Sequence, residues 1–311
     1  MNPVALFSPA KLNLFLAVTG RRADGFHDLV SVAAPLAWGD LLHAEPAAEF
    51  TLECDDPAVP ADESNLVLKA AQAFRTASGW NGGVRFRLEK RIPPGAGLGG
   101  GSSNAVAALR ALNVLAGGPL APSALPAIAA RLGSDCALFL HAGPVIMRGR
   151  GERLEPVPDV AAGRLRGRRV LLFKPSFGIG TPWAYAQLAA LSAQQAKAGT
   201  AALLGDRPPG YIPAAVAERR LGAWLADGLA PAETLLLNNL EQVAFAKYPA
   251  LPALLTLLRA DFGLTTGMSG SGSACFALLP DNLVPECVAA ISAAIRAAWG
   301  PPALVVETRL A

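Results

Sequence analysis

The sequence predicts a mixed α/β (α+β) protein built from two lobes. A strand is indicated where apolar residues alternate with charged ones, at Val84, Phe86 and Leu88. A glycine-rich loop follows this strand, and apolar residues at helical spacing begin directly after the loop. The length of 311 residues suffices for about two domains with substantial cores. These observations favour strands and helices in each lobe.

Local patterns place the elements of the first lobe in chain order. Strands dominate the N-terminal part, where Leu12, Leu14 and Leu16 alternate in one strand and a turn at Gly39 precedes another over residues 40–45. The other predicted elements are helices over residues 65–76, 105–115 and 123–132, the strand around Phe86, and strands around residues 145 and 154. Strand, glycine loop and helix therefore form one continuous unit.

A domain boundary is predicted after residue 160, where Pro156, Pro158 and Gly163 interrupt the regular patterns. The two domains would then be residues 1–160 and 161–311. In the second, we expect strands over residues 170–173, 274–279 and 303–307 and a helix over residues 287–298. Residues 186–231 carry no recognisable chemistry, and we interpret them as an insertion that covers the second lobe.

Composition and charge exclude several classes of protein. No stretch of about 18 apolar residues runs free of charges, glycines or prolines, so a membrane span is not expected. The net charge of +3 is modest and the basic residues are dispersed, which argues against nucleic-acid binding. The four cysteines form no C-x-x-C pair, which disfavours a zinc site or a disulfide scaffold. The N-terminal residues show no basic leader, so a cytoplasmic location is expected. The other expectations are a monomer or homodimer and a small-molecule substrate.

The most informative segment is the glycine-rich run over residues 93–104. Its five glycines let backbone N–H groups approach an anion without obstruction by side chains. Ser102 or Ser103 is expected to cap the following helix, whose first N–H groups and dipole favour negative charge. The run therefore predicts a phosphate-binding loop with a nucleoside triphosphate as its ligand.

Three nucleotide-binding classes share such a unit, and the flanking residues separate them. A dinucleotide-binding loop is disfavoured because the preceding strand is amphipathic and no acidic residue occurs between Glu89 and Asp135. A Walker loop is excluded because no Lys-Ser or Lys-Thr pair follows the glycines. The run Asp261-Phe262-Gly263 matches a protein-kinase motif, but the chain lacks an HRD sequence, so Gly263 is predicted to end a helix.

Two other segments leave two interpretations open. The glycine-serine run over residues 267–273 fits a tight hairpin turn and equally a second loop whose backbone donors face an anion. Lys11 lies in an apolar strand pattern together with Asn13. It fits an exposed edge residue that discourages aggregation, and it also fits a partly buried ammonium that helps to neutralise a phosphate.

Residues 8–25, 94–104 and 267–274 together resemble the three signature motifs of the GHMP small-molecule kinases, in order and in spacing. Within that superfamily the Pro-Ala-Lys-Leu-Asn-Leu run, the Phe26-His27 pair and the triple glycine before Ser-Ser-Asn are most similar to kinases of the non-mevalonate isoprenoid pathway. The resemblance covers nearly the whole chain except residues 186–231. It implies a two-lobed fold, with an N-terminal ribosomal-protein-S5-like ATP-binding lobe and a C-terminal ferredoxin-like lobe.

The resemblance also implies the residues of the transfer site. The family's catalytic lysine and aspartate correspond to Lys11 and Asp135. A carboxylate can accept the proton of an acceptor hydroxyl, and an ammonium can hold the oxygen in line with the γ-phosphate. Taken alone, Asp135 fits a helix cap or a turn residue. The implied ATP-binding residues are Pro94, Gly95, Ala96, Gly97, Leu98, Gly99, Gly100, Gly101, Ser102, Ser103 and Asn104.

The implied acceptor is a cytidine-diphosphate-linked methylerythritol, phosphorylated on its 2-hydroxyl. Its binding residues would be Asn13, Phe26, His27, Thr181 and Tyr185. His27 would hydrogen-bond the cytosine edge, with the base held between Phe26 and Tyr185, and Asn13 would contact the methylerythritol hydroxyls. Relatives often have tyrosine in place of Phe26, a change that removes a hydroxyl and keeps the ring face. Each residue alone also fits an ordinary core or surface position.

ATP and Mg²⁺ are the implied cofactors, because the β- and γ-phosphates need neutralising. Residues 90–134 contain no acidic side chain, which leaves Ser103, phosphate oxygens and water as candidate ligands, and the metal ligands stay open. Two alternatives stay open at this point. One is another GHMP kinase, acting on homoserine, mevalonate or a sugar. The other is a non-catalytic nucleotide sensor of the same fold.

Overall fold

A computed structural model describes residues 2–197 and 210–311. Its strands are β1 (Val4–Arg21), β2 (His27–Ala47), β3 (Thr51–Cys54), β4 (Gly83–Glu89), β5 (Val145–Gly149), β6 (Arg153–Pro156), β7 (Arg169–Lys174), β8 (Leu237–Asn238), β9 (Thr265–Met268), β10 (Cys275–Leu278) and β11 (Leu304–Arg309). Its helices are α1 (Leu66–Ser78), α2 (Gly100–Leu115), α3 (Leu125–Leu132), α4 (Asp159–Gly163), α5 (Thr181–Lys197), α6 (Ala214–Ala226), α7 (Glu241–Lys247), α8 (Ala250–Phe262) and α9 (Pro285–Trp299). Short 3₁₀ helices occur at Pro122–Ala124, Ala137–Leu140 and Ala232–Leu235.

The described residues form two compact units. Unit 1 takes its residues from Met1–Lys11, Pro35–Pro94 and Gly99–Ala142, and unit 2 from Leu12–Ala34, Gly95–Leu98 and Gly143–Ala311. Strands β1 and β2 therefore contribute residues to both units. Part of the stretch interpreted as an insertion, residues 198–209, lies outside the described residues, and the boundary after residue 160 stays a prediction.

Unit 1 combines a sheet with three helices. Strand β4 pairs antiparallel with the second half of β2 and parallel with β3, and α1 packs against α2 and α3. Helix α1 begins where the Asn65 side chain accepts a hydrogen bond from the Val67 N–H, and it ends at Gly79, whose φ is 69°. The predicted helices over residues 65–76 and 123–132 are thus confirmed to within a few residues.

Unit 2 contains a four-stranded antiparallel sheet in the order β11-β7-β10-β9. Helix α8 packs against α9 and β9. The first half of β2 pairs with β5, which pairs with β6, and β1 pairs parallel with β8 at Phe15 and Leu16. Gly263 ends α8 with φ of 64°, as predicted for the Asp261-Phe262-Gly263 run.

The predicted turn at Gly39 is wrong, because β2 continues through this residue. A Cβ at Gly39 would lie 2.2 Å from the Ser8 carbonyl oxygen. Glycine is therefore required here by the close approach of two backbones and does not mark a turn. A turn and a close backbone contact within a strand look the same in the sequence, because each shows only a glycine between apolar residues.

None of the helices within residues 2–197 and 210–311 has the length and apolar character of a membrane-spanning segment.

Candidate active site

Helix α2 begins directly after a glycine in the left-handed conformation. Its N-cap is Gly99, with φ of 71°, and the Ser103 N–H donates to the Gly99 carbonyl over 2.9 Å. The expectation that Ser102 or Ser103 caps this helix is therefore wrong, because the helix starts at Gly100 and both serines lie inside it. The N–H groups from Gly100 to Ser102 have no acceptor within the helix, which favours an anion at this end.

Residues 95–98 belong to unit 2 and contact the second glycine-serine run. Gly97 has φ of 76°, and a Cβ there would lie 2.3 Å from the Ser269 carbonyl oxygen, so only glycine fits. Ser269 Oγ donates to the Gly97 carbonyl over 3.1 Å, and the Ala274 N–H donates to the Ala96 carbonyl over 3.1 Å. The second run therefore connects the hairpin strands β9 and β10 and holds the first run. Its anion-binding role stays a prediction.

Lys11 and Asp135, the two predicted catalytic residues, form an ion pair in unit 1. Lys11 Nζ lies 3.5 Å from an Asp135 carboxylate oxygen, and 5% of the lysine side chain and 35% of the aspartate side chain are exposed. Lys11 is thus not an exposed edge residue, and the N-cap of the following 3₁₀ helix is Cys136, not Asp135. A Cβ at Gly99 would lie 3.1 Å from Lys11 Cγ, so glycine leaves room for the lysine stem. The pair joins a buried cation to an accessible carboxylate.

The thiol beside this pair is not a candidate acid or base. Burial raises the pKa of the Cys136 thiol to about 11, against a smaller opposing effect of a hydrogen bond with Ser102. Cys136 therefore stays protonated at neutral pH, and Asp135 is the acidic group next to Lys11.

A buried carboxylate, Asp40, anchors the chain just before the glycine-rich segment. Asp40 is fully buried, and its Oδ1 accepts the backbone N–H groups of Arg91 over 2.7 Å and Ile92 over 2.8 Å. Its Oδ2 accepts Asn104 Nδ2 over 2.9 Å and pairs with the Lys90 ammonium. Four donors thus compensate the desolvation of one carboxylate and tie the entry of the loop to helix α2.

Asn104 and Ser103 lie within this hydrogen-bond network. Asn104 Nδ2 donates to Ser8 Oγ over 2.8 Å as well as to Asp40, which uses both of its amide hydrogens. Ser8 Oγ in turn donates to Ser103 Oγ over 2.8 Å, and the Ser8, Ser103 and Asn104 side chains are buried. We therefore interpret Asn104 as a support of the α2 N-terminus from behind.

Asn13 is predicted to bind the phosphoryl acceptor, and two hydroxyl groups of unit 2 fix its position. Its Nδ2 donates to Ser31 Oγ over 3.0 Å, and Ser31 Oγ donates to the Phe15 carbonyl over 2.6 Å. The Asn13 backbone N–H donates to Ser269 Oγ over 3.2 Å. Ser31 therefore fixes the rotation of the Asn13 amide.

His27 lies beside two tyrosines in unit 2. Its ring centroid is 5.0 Å from that of Tyr185 and 5.8 Å from that of Tyr211, and its Nε2 lies 3.0 Å from the Tyr211 hydroxyl oxygen. Burial lowers the pKa of His27 below 6.5, and the positive charge of Arg21 lowers it further. The imidazole is therefore neutral at pH 7.

Phe26 and Thr181 occupy separate environments in unit 2. The Phe26 ring is 50% exposed, and the guanidinium carbon of Arg150 lies 4.7 Å from its centroid. Thr181 Oγ1 lies 2.9 Å from Ser271 Oγ and so connects the start of α5 to the second glycine-serine run. The structure thus brings Tyr185 to His27, whereas the Phe26 ring contacts Arg150 and is half exposed.

Asp40 and Tyr211 are among the residues of these networks that sequence reasoning missed. Asp40 is a single carboxylate within an otherwise apolar run over residues 33–42, and this isolation could have indicated a buried, compensated charge. Tyr211 lies in the stretch without recognised chemistry and has no local signal, because its partner His27 is 184 residues away in the sequence.

Family comparisons identify the class of protein. The GHMP kinases N terminal domain matches residues 65–143, and the GHMP kinases C terminal domain matches residues 218–297. The chain therefore belongs to the GHMP kinases, an ATP-dependent class of small-molecule phosphotransferases, and has the two-domain α/β fold of that class.

Individual relatives narrow the class to one family. The 4-diphosphocytidyl-2-C-methyl-D-erythritol kinase of Synechococcus sp. (strain CC9902) is 41% identical over 280 residues, which cover 88% of this chain and 87% of that one. The same kinase of Protochlamydia amoebophila (strain UWE25) is 36% identical over 94% of this chain and 90% of that one. The chain belongs to the 4-diphosphocytidyl-2-C-methyl-D-erythritol kinase family.

Solved structures agree with this assignment. A crystal structure of 4-(cytidine 5'-diphospho)-2C-methyl-D-erythritol kinase has a TM-score of 0.72 at 35% identity and covers 99% of this chain and 100% of that one. The Methanococcus jannaschii mevalonate kinase has a TM-score of 0.71 at 12% identity, covering 100% and 99% of the two chains, which shows a shared fold alone.

Proposed function

We propose that this protein transfers the γ-phosphate of ATP to the 2-hydroxyl of 4-diphosphocytidyl-2-C-methyl-D-erythritol, a step of isoprenoid precursor synthesis. The observation that carries the proposal is the ion pair of Lys11 with Asp135. It places a cation and a base so close together that a single acceptor hydroxyl could contact both. The relatives named above supply the acceptor that we propose.

The transfer step uses both members of the pair. Asp135 accepts the hydroxyl proton while the acceptor oxygen forms its bond to the γ-phosphorus, and ADP leaves as the bond to the β-γ bridging oxygen breaks. The Lys11 ammonium stabilises the negative charge of the transferring group, and its burial strengthens this effect because little water screens it.

The backbone of residues 94–102 would bind the ATP phosphates. The N–H groups at the start of α2 are the main donors, and the left-handed Gly97 and Gly99 shape the backbone on either side of Leu98. Ser103 and Asn104 would support this segment through Ser8 and Asp40. A non-catalytic sensor would have no need of the Lys11 and Asp135 pair.

Residues of unit 2 would bind the cytidine end of the acceptor. His27 would hydrogen-bond the base, Tyr185 and Phe26 would offer ring faces, and Asn13 and Thr181 would contact the acceptor's polar groups. The orientation of Asn13 by Ser31 and the contact of His27 with Tyr185 support this assignment.

Mg²⁺ fits this proposal as an ion carried by the triphosphate. Within the part of the chain that the structure describes, no group of three His, Cys, Asp or Glu side chains could hold a metal ion. Mg²⁺ is commonly held by phosphate oxygens and water with few protein ligands, and when bound it would neutralise the β- and γ-phosphates. A cytoplasmic location and a monomeric or homodimeric state stay predictions from the sequence.

The proposal is tested by ADP release with Mg-ATP and five acceptors in parallel: 4-diphosphocytidyl-2-C-methylerythritol, 2-C-methylerythritol 4-phosphate, homoserine, mevalonate and galactose. Turnover confined to the cytidine-bearing acceptor is expected. Turnover with another acceptor alone would reject the proposed substrate, and ATP binding without turnover on any acceptor would favour a sensor.

A further inference from the structure

Tyr211 lies within residues 186–231, to which the sequence assigned no chemistry, and it contacts His27, a candidate residue for binding the phosphoryl acceptor. The backbone on both sides of this tyrosine is fixed within unit 2. Asn239 Nδ2 donates to the Gly210 carbonyl over 2.7 Å, and the Ile212 N–H donates to the Val18 carbonyl over 3.1 Å. Asn239 is itself fully buried and also bonds to the Val18 backbone. The position of the Tyr211 backbone is therefore set by the core of unit 2.

The contact of Tyr211 with His27 engages one defined nitrogen of the imidazole. The hydroxyl oxygen lies 3.0 Å from His27 Nε2, and the two rings are tilted by 57° with centroids 5.8 Å apart. This geometry is a hydrogen bond at the edge of the imidazole and not a stack. Nε2 is thus occupied by the protein, and Nδ1 is the nitrogen that remains for a ligand.

The chemistry of the two groups decides which of them donates. A neutral imidazole carries one hydrogen, on either nitrogen, and a hydrogen bond at one nitrogen determines the state of the other. The phenol O–H is a stronger donor than an imidazole N–H, and the bare imidazole nitrogen is a stronger acceptor than the phenol oxygen. These strengths favour Tyr211 as the donor to His27 Nε2, an arrangement in which the hydrogen of the imidazole is on Nδ1.

We propose that Tyr211 is a positioning residue that holds His27 in the tautomer with hydrogen on Nδ1, and so sets the preference for cytosine over uracil. The inference rests on the proposed function, because it refines how His27 recognises the base of the acceptor. It also gives a role to the C-terminal part of residues 186–231, which the sequence left unassigned.

The consequence for base selection follows from the edges of the two pyrimidines. Cytosine N3 is a hydrogen-bond acceptor, whereas uracil N3 carries a hydrogen and is a donor. A hydrogen fixed on His27 Nδ1 can be donated to cytosine N3 but faces the N3–H of uracil. If the tautomer is not fixed, Nδ1 can also act as an acceptor and tolerate uracil. The selectivity therefore depends on the hydroxyl of Tyr211, which itself need not touch the base.

The direct test is ¹⁵N NMR of the imidazoles in the parent protein and in Tyr211→Phe, at a pH where His27 is neutral. The chain has three histidines, and His27→Gln identifies the His27 signals by their loss. Tyr248→Phe is the matched control, because Tyr248 stacks on Phe177 in the same unit. We expect the parent and Tyr248→Phe to show the ¹⁵N chemical shifts of the tautomer with hydrogen on Nδ1. Tyr211→Phe should show a mixture of tautomers or the tautomer with hydrogen on Nε2. A parent with hydrogen on Nε2, or an unchanged tautomer in Tyr211→Phe, would overturn the proposal.

The second readout is base selectivity in catalysis. The ratio of kcat/KM for the cytidine-linked acceptor to that for its uridine-linked analogue should fall by about tenfold in Tyr211→Phe and stay at the parent value in Tyr248→Phe. A merely structural role would lower both kcat/KM values together and leave the ratio unchanged, which would contradict the proposal. If the parent turns over neither acceptor, the proposed function fails, while the NMR result still decides the tautomer.

Discussion

The residues of unit 1 and those of unit 2 present different kinds of chemistry. In unit 1, two ion pairs each contain a buried lysine, Lys90 with Asp40 and Lys11 with Asp135. In unit 2, His27 is neutral at pH 7 and meets its tyrosine neighbours through one hydrogen bond and tilted rings. Transfer of a phosphoryl group needs fixed charges, whereas recognition of a neutral base needs oriented donors and ring faces.

This difference separates the expected effects of substitution. Changes at these two pairs of unit 1 should lower the rate of transfer or the stability of the fold. Changes at His27 and its neighbours in unit 2 should lower the affinity for the acceptor and leave the transfer step intact once the acceptor is bound.

The largest effect is expected for Asp135→Asn. The amide keeps the size of the side chain but cannot accept the hydroxyl proton, so kcat should fall by about 10²–10⁴-fold. The measurement is steady-state ADP release with saturating Mg-ATP and acceptor. Asp159→Asn, at an exposed ion pair with Arg166, is the control and should retain parent turnover. A kcat for Asp135→Asn within a few-fold of the parent would remove Asp135 from the role of base.

The next effect concerns the stability of unit 1. Asp40→Asn leaves the Lys90 ammonium, whose side chain is 6% exposed, without its carboxylate, and should destabilise the fold by about 3–5 kcal/mol in urea unfolding. The double variant Asp40→Asn with Lys90→Met removes both charges and should recover part of the loss. Glu45→Gln, which breaks an exposed pair with Arg85, should change the free energy of unfolding by less than about 1 kcal/mol. Equal losses of unfolding free energy for Asp40→Asn and Glu45→Gln would contradict a larger contribution of the buried pair.

A smaller effect is expected at the contact between the two glycine runs. Gly97 and Gly167 share a φ of 76°, but a Cβ at Gly97 would lie 2.3 Å from the Ser269 carbonyl oxygen and one at Gly167 would meet no atom within 4 Å. Both alanine variants should lose about 1 kcal/mol of unfolding free energy, because alanine is strained in the left-handed conformation. Gly97→Ala should lose about 1–3 kcal/mol more through steric overlap, and its KM for ATP should also rise. Similar melting temperatures and similar KM values for the two variants would contradict the close contact between Gly97 and the Ser269 carbonyl.

The smallest effect is a pH dependence of stability. Burial lowers the pKa of His27 and the positive charge of Arg21 lowers it further, so the folded protein takes up this proton at a lower pH than the unfolded chain. The contribution of neutral His27 to the free energy of unfolding is thus present above pH 6.5 and lost as the pH falls through the lowered pKa. Arg21→Gln removes one cause of the lowered pKa, so the midpoint of the His27 titration, followed by NMR, should move to higher pH. A midpoint above pH 6.5 in the parent would contradict the assignment.

The local part of the fold was predictable from the sequence. The strand at Phe86, the glycine run and the helix after it follow from residue spacing within short windows. The motifs around Lys11 and Asp135 indicated residues that the structure places 3.5 Å apart, although the residues themselves lie far apart in the chain. Such a pairing could be inferred only through the resemblance to a kinase family.

The remaining features depend on contacts between distant segments. The turn predicted at Gly39 was wrong because glycine is needed there for the close approach of the Ser8 backbone. Ser102 and Ser103 were predicted as caps because nothing in the sequence distinguishes Gly99, the actual N-cap, from the neighbouring glycines. The partners of Asp40 come from two other segments, at residues 90–92 and 104. No periodicity within a short window encodes these contacts.

The most direct test of the division between transfer and recognition compares Lys11→Met with His27→Ala by kcat at saturating substrates and by acceptor affinity in calorimetry. We expect Lys11→Met to lose at least about 100-fold in kcat and to keep its acceptor affinity within about threefold. We expect His27→Ala to keep kcat and to bind the acceptor about tenfold more weakly. If both variants lose rate and affinity together, or if the two losses are exchanged, the separation of the two tasks is contradicted.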